Sequence, residues 1–175
     1  KGSEHNKRIP DHPLVEKKYC DLSQLFKIQN HTGKNYDVFY HFAWAGTTGL
    51  ARNDMYLQNQ NVKYALDAVA AAKRFGCNTF IGAGSQAEYG RVEGVLKPDT
   101  PTFPENGYGI GKLCACQMTR EYAQQLGMKH IWTRILSVYG PNDGAQSMVM
   151  STINKLENCE VPKFTKGEQI WDYLY

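Results

Sequence analysis

Along this chain, short unbroken apolar runs alternate with longer stretches in which apolar residues recur at helical spacing. Val15 to Cys20 reads as a short strand, and Asp21-Leu22-Ser23 can cap a helix through Leu25 to Gln29. Asp37 to Ala43 is an apolar run bounded by turn residues, which suits a buried strand. From Asp54 to Phe75, the spacing of Val62, Ala65, Leu66, Val69 and Ala72 predicts a long helix, with Gly76 placed as its left-handed C-cap. Asn78 to Gly82 is a third strand, turned by Ala83-Gly84-Ser85. After a loop containing Pro98, Pro101 and Pro104, a second long helix runs from about Tyr108 to Leu126 and stops at Gly127. Lys129 to Leu136 is the fourth strand, and beyond Pro141 the pattern weakens to one helix, roughly Gln146 to Asn158. Such alternation predicts an α/β fold, a parallel sheet with helices on both faces, whose ligand lies beyond the carboxyl ends of the strands.

Composition narrows the setting. A chain of 175 residues with 42% hydrophobic residues can bury one ordinary core. Lys plus Arg (20) exceed Asp plus Glu (17) only slightly, with no basic run, which speaks against a nucleic-acid partner. Five cysteines with no Cys-x-x-Cys pair predict reduced thiols, and Cys114 and Cys116 point in different directions on a helix, so no metal is expected. No run is long enough to span a membrane and no signal-peptide core is present, so a cytoplasmic protein is expected. The chain ends inside the apolar run Trp171 to Tyr175, where a strand's partners would be missing, so it is expected to continue.

The candidate chemistry lies in Tyr108-Gly109-Ile110-Gly111-Lys112, which opens a helix, with Ser85 on the preceding strand-to-loop turn. Tyr and Lys four apart share a helix face, and an ammonium beside a phenol favours the phenolate, which makes Tyr108 a candidate proton shuttle. Alone, such a pair is also a common surface contact worth a few tenths of a kcal/mol. Its position changes that balance: it follows the Ser85 turn and precedes a strand that ends in Ser137-Val138-Tyr139-Gly140-Pro141.

Ser85-Gln86-Ala87-Glu88-Tyr89-Gly90, then Tyr108-x-x-x-Lys112, then Arg134 to Pro141, together resemble the extended short-chain dehydrogenase/reductase family, in its NAD-dependent epimerase/dehydratase branch. His41-Phe42-Ala43-Trp44-Ala45 resembles the family's cofactor-lining segment, and Asn59-Gln60-Asn61-Val62 its mid-helix asparagine motif. Gly167-x-Gln169-x-Trp171-Asp172-Tyr173 is similar to a strand of its substrate domain, so the resemblance covers nearly the whole chain.

The resemblance implies a Rossmann-like doubly wound sheet over 1–141, lacking its first strands and glycine-rich turn, and the start of a small substrate-binding region over 142–175. It implies that Tyr108 is the acid/base, that Lys112 tunes it and bonds the nicotinamide ribose, and that Ser85 binds the reacting sugar oxygen. Asp21 would reach the adenine, with Leu22 beside it, and an N-cap role for Asp21 fits equally. Phe42, Ala43 and Trp44 would line the cofactor groove, with Trp44 standing where the family usually has a small residue. Leu136, Ser137 and Val138 would lie beside the nicotinamide and substrate, with Gln86 next to the sugar. His41 and Arg134 read as structural, and Asn61 as a tie between helix and strand.

The implied cofactor is NAD, with NADP left open, because the segment that decides between them falls before Lys1. Gly46-Thr47-Thr48-Gly49 is not the phosphate-binding turn, since Arg52 stands where a third glycine belongs, and Gly107-x-Gly109-x-Gly111 belongs to the helix of Tyr108. Family dehydratases place an acid two positions after the Ser85 equivalent, whereas this chain has Ala87, and Glu88 is expected to point elsewhere. The implied reaction is therefore epimerisation of a nucleotide-linked sugar, of the UDP-glucose 4-epimerase type. Reduction of a keto-sugar is the alternative, and a cofactor-sensing protein without turnover is the reading from another class. A homodimer through the two long helices is the implied assembly.

Overall fold

A computed structural model describes residues 9–168 and 171–175, and the chain divides into two compact units, one through Arg134 and one from Ile135 to Tyr175. β1 (Val38–His41), α1 (Met55–Arg74), β2 (Thr79–Ser85) and α2 (Gly107–Gln125) of the first unit, then β3 (Lys129–Ile135), whose last residue opens the second unit, follow one another in the predicted order. The strands form a sheet in the order β1-β2-β3, and β1 runs parallel to β2 with Val38 opposite Thr79 and His41 opposite Gly82.

Each helix ends where its sequence says it should. Asp54 caps α1 by accepting the Tyr56 and Leu57 N–H groups, and Gly76 follows with a φ of 79°. Asn106 caps α2 by accepting the Gly109 N–H, and Gly127 stops it at a φ of 68°. Small residues line the facing sides, with Ala65, Ala68 and Ala72 on α1 and Ala115 and Ala123 on α2 fully buried, so the two helices lie close together over the sheet.

One face of the sheet carries a row of flat rings. Phe80 stacks on Phe39 at 6.1 Å and on His130 at 5.9 Å, and His130 stacks on Trp132 at 5.9 Å. The Trp132 indole lies across Gly82 and Gly84, where a Cβ would overlap it. These two strand glycines thus make room for a large ring rather than for a turn.

Two expectations are corrected at the N-terminal side. Residues 15–20 form no strand: no strand among the described residues lies beside them to offer a ladder, and Val15 and Tyr19 are exposed. The following helix is a short 3-10 helix, Leu22–Lys27, held to the end of α1 by Arg74, which donates to the Leu25 and Ile28 carbonyls. Its start at Asp21 is as expected, because the Asp21 carboxylate accepts the Ser23 N–H at 2.9 Å.

The second unit contains β4 (Ser137–Val138), α3 (Met148–Glu157) and β5 (Tyr173–Leu174). β4 and β5 pair in parallel, and the Tyr139 ring meets Tyr173 and Tyr175 edge-on. The strand expected around Trp171 is thus two residues long, and Gln169 of its motif lies outside the described residues, as does the start at Lys1. No helix among the described residues is long and apolar enough to cross a membrane.

Candidate active site

The carboxyl end of β2 meets the first turns of α2, where Lys112 bonds the Ala83 carbonyl and lies 5.7 Å from the Tyr108 ring. Ser85 ends β2 and caps a short 3-10 turn, Gln86–Glu88, its Oγ accepting the Ala87 N–H at 3.2 Å. Gly109 has no side chain because a Cβ there would run into the Ala87 carbonyl, so the turn carrying Tyr108 packs directly on the turn after Ser85. Asn53 accepts the Gly107 N–H at 2.9 Å and anchors the same turn from the other side.

Trp44 is the hub. Its indole is buried and donates to Gln58 Oε1 at 2.8 Å, and the Tyr108 ring meets it edge-on at 6.2 Å. The Lys112 ammonium sits 3.9 Å from the centroid of the indole and 5.7 Å from that of the Tyr108 ring. A large aromatic at position 44 therefore fits, because it supplies a face that stabilises a buried cation. Arg52 covers Tyr108 as well, its guanidinium 4.4 Å from the ring centroid and held by the Thr47 carbonyl.

Lys112 is 4% exposed and donates to the Ala83 carbonyl at 2.7 Å. Burial pulls its pKa down to about 8, against the opposing pull of the Glu88 carboxylate. An ammonium has three donors and only this one finds a protein acceptor among the described residues. The Tyr108 hydroxyl has no protein partner there either, and Ser85 Oγ only accepts. Lys112, Tyr108 and Ser85 thus keep hydrogens that no protein group among the described residues takes.

The other expected residues are placed as follows. Phe42 and Ala43 are exposed just past the end of β1, and Gln86 is half-buried beside Ser85. Asp21 is an exposed N-cap, and Leu22 packs with Leu25 and Phe80 in a second apolar cluster, away from Trp44 and Tyr108. Leu136, Ser137 and Val138 lie in the second unit, where Trp171 donates to the Ser137 hydroxyl. Asn61 ties α1 to the segment after β1, its amide bonding both the N–H and the carbonyl of Ala45.

Glu88 points into the interior. It is fully buried and accepts from the Ser85 N–H at 2.8 Å, from the Trp132 indole at 3.0 Å and from Arg134 at 2.9 Å. A capping box links the third residue of a turn to its cap, and Ser85-x-x-Glu88 has that pattern, so the signal was present in the sequence.

His41 stacks on Phe80 at 6.2 Å, and its buried Nε2 has no hydrogen-bond partner among the described residues. Burial, helped by the Lys112 charge, pushes its pKa down to about 4. Because the unfolded chain takes up a proton near pH 6.5 that the folded state refuses, stability is full above that pH and falls as pH drops toward 4. That fall should reach up to about 3 kcal/mol and be missing from His41→Phe, as read from denaturant titrations across the same window.

Comparison with known proteins identifies the family. The model of the NAD dependent epimerase/dehydratase family matches residues 1–175. A UDP-glucose 4-epimerase from Azospirillum brasilense is 30% identical over 138 residues, 77% of this chain and 39% of that protein. A dTDP-glucose 4,6-dehydratase from an Actinoplanes strain is 26% identical over 60% of this chain and 33% of its own length. The chain thus spans less than two fifths of these relatives. Among solved structures, a UDP-N-acetylglucosamine 4-epimerase from Methanobrevibacter ruminantium, in complex with UDP-N-acetylmuramic acid, superposes with a TM-score of 0.83. It is 24% identical and is matched over 99% of this chain and 58% of that one, a likeness of fold. With a Rossmann-like α/β fold and a family model that matches it from end to end, this chain belongs to the NAD dependent epimerase/dehydratase family.

Proposed function

We propose that the protein carrying this chain is a nicotinamide-dependent epimerase of nucleotide-linked sugars. The observation that carries this reading is the shared neighbourhood of Ser85, Tyr108 and Lys112, each with hydroxyl or ammonium hydrogens not spent on the protein. Lys112 would hold the nicotinamide ribose, and Phe42, Ala43 and Trp44 would line the groove, with Asp21 and Leu22 toward the adenine. Bound there, NAD supplies a hydride acceptor and donor, and relatives in complex with NAD and with NADPH support a cofactor of this class.

Tyr108 takes the proton of the sugar hydroxyl as that carbon is oxidised, and Ser85 holds the same oxygen by a hydrogen bond. Trp44 and Arg52 fix the Tyr108 ring, so the hydroxyl meets each sugar in one orientation. Return of the proton completes the reaction once the opposite face of the keto-sugar has been reduced. Gln86, Leu136, Ser137 and Val138 would contact the sugar or the nicotinamide. The outer faces of α1 and α2 share an apolar groove of about 470 Å³ lined by Leu66, Met118 and Tyr122, which supports a homodimer through these helices.

Epimerisation and keto-sugar reduction differ in one readout. Full-length protein mixed with nucleotide sugar should show a burst of reduced-nicotinamide absorbance with no net consumption of cofactor. Stoichiometric consumption would assign it to the reductases instead.

A further inference from the structure

We propose that Glu88 is a positioning residue of this site, whose carboxylate locks the Ser85 turn onto β3 and presents a fixed negative charge to the Lys112 side of the pocket. The inference rests on the reading of Ser85, Tyr108 and Lys112 given above.

Both carboxylate oxygens are spent. Oε1 accepts the Ser85 N–H and the Trp132 indole, and Oε2 accepts Arg134 Nε, which leaves Glu88 one orientation. Arg134 in turn lies over the Tyr89 ring at 4.7 Å and donates to its hydroxyl. Gly84 gives up its side chain for this arrangement, since a Cβ there would overlap both Trp132 Nε1 and Glu88 Oε1.

A buried ion pair is weak evidence for stability, because desolvation offsets much of its attraction. Apolar residues could fill the same volume. What apolar residues could not do is accept the Ser85 N–H, which sets the backbone that aims Ser85 Oγ. Nor could they supply an anion at the end of β2, where Glu88 holds the Ser85 N–H and Lys112 is held two residues earlier by the Ala83 carbonyl. The groups that act on that ammonium are the Glu88 carboxylate, the His41 ring from β1 and the Trp44 and Tyr108 rings. Of these only Glu88 favours its charged form through a full negative charge, against the burial that pulls it down.

The test uses the full-length protein with Glu88→Gln, Glu88→Asp and the pair Glu88→Leu/Arg134→Met, which removes both charges together with the Ser85 acceptor and so leaves no unpaired cation to unfold the protein. The pair, which leaves the Ser85 N–H without an acceptor, should lower kcat by about tenfold or more with KM for the nucleotide sugar within about threefold, as expected for misaligned rather than missing groups, whereas Glu88→Gln keeps an oxygen for that N–H and should lower kcat less. Their loss of activity on the alkaline side should start at lower pH than in the wild type, where Lys112 loses its proton near 8. Glu88→Asp keeps the charge but not the reach, so it should restore the alkaline limb while kcat stays low.

NMR titration of isotope-labelled lysine side chains follows Lys112 directly and needs no turnover. Wild-type kcat and an unmoved Lys112 titration in the folded pair variant would overturn the proposal. A wild-type protein inactive on every nucleotide sugar would defeat the reaction assignment instead, and the Lys112 titration would still decide on Glu88.

Discussion

Tyr108→Phe is expected to cut turnover of the nucleotide sugar by about two to four orders of magnitude, the range that a positioned proton-transfer group supplies. The substitution removes one oxygen and nothing else. Contacts of the ring with Trp44 and Arg52 are made by its carbon framework, and the hydroxyl has no protein partner among the described residues. Thermal unfolding and cofactor affinity should therefore stay near wild type while initial rates collapse. Initial rates within about threefold of wild type would remove Tyr108 from the chemistry.

Lys112→Met should separate activity from stability in the opposite direction. Methionine fills the same length of pocket without a charge, so it relieves the penalty that holds the Lys112 pKa near 8 rather than 10.5. A lysine with a lowered folded pKa costs the native state stability below pH 8, and the wild type should become more stable as pH rises from about 8 toward 10.5. In the variant that rise, up to about 3 kcal/mol, should vanish. The Ala83 carbonyl loses its donor, which takes back about 1 kcal/mol. Turnover should fall by about a hundredfold or more, because the proton shuttle loses its neighbouring cation. Denaturant titrations at both ends of that pH window, beside initial rates, check the two halves of this result.

The order of strands and helices was legible because it is written in local patterns. Asp54, Asn106, Gly76 and Gly127 mark the ends of α1 and α2 within a residue or two, and these signals act through the backbone nearby. Val15 to Cys20 misled because Val15, Tyr19 and Cys20 suit a strand locally, whereas Glu16, Lys17 and Lys18 fill its middle and a strand is made by its neighbour. The helix expected after Asp21 is a six-residue 3-10 helix, whose end Arg74 holds through the Leu25 and Ile28 carbonyls.

At the site, the sequence pattern named Ser85, Tyr108 and Lys112 through motif order, and folding places them at the end of β2 and the start of α2. It did not show that Trp44 would be the surface on which Lys112 rests, because residues 44 and 112 meet only through tertiary packing. Arg52, noticed only as a residue that spoils a glycine motif, covers the Tyr108 ring. Glu88 was read by its distance along the chain from Ser85, which hid the fact that a capping turn folds it back toward the Ser85 N–H.

The sharpest test of the proposed chemistry is a structure of the full-length protein with nicotinamide cofactor and nucleotide sugar bound. The Tyr108 and Ser85 hydroxyls should both lie within hydrogen-bonding distance of one sugar oxygen, with the Lys112 ammonium on the nicotinamide ribose. A sugar whose reacting oxygen meets neither hydroxyl, or a ribose held by some other cation, would refute that chemistry.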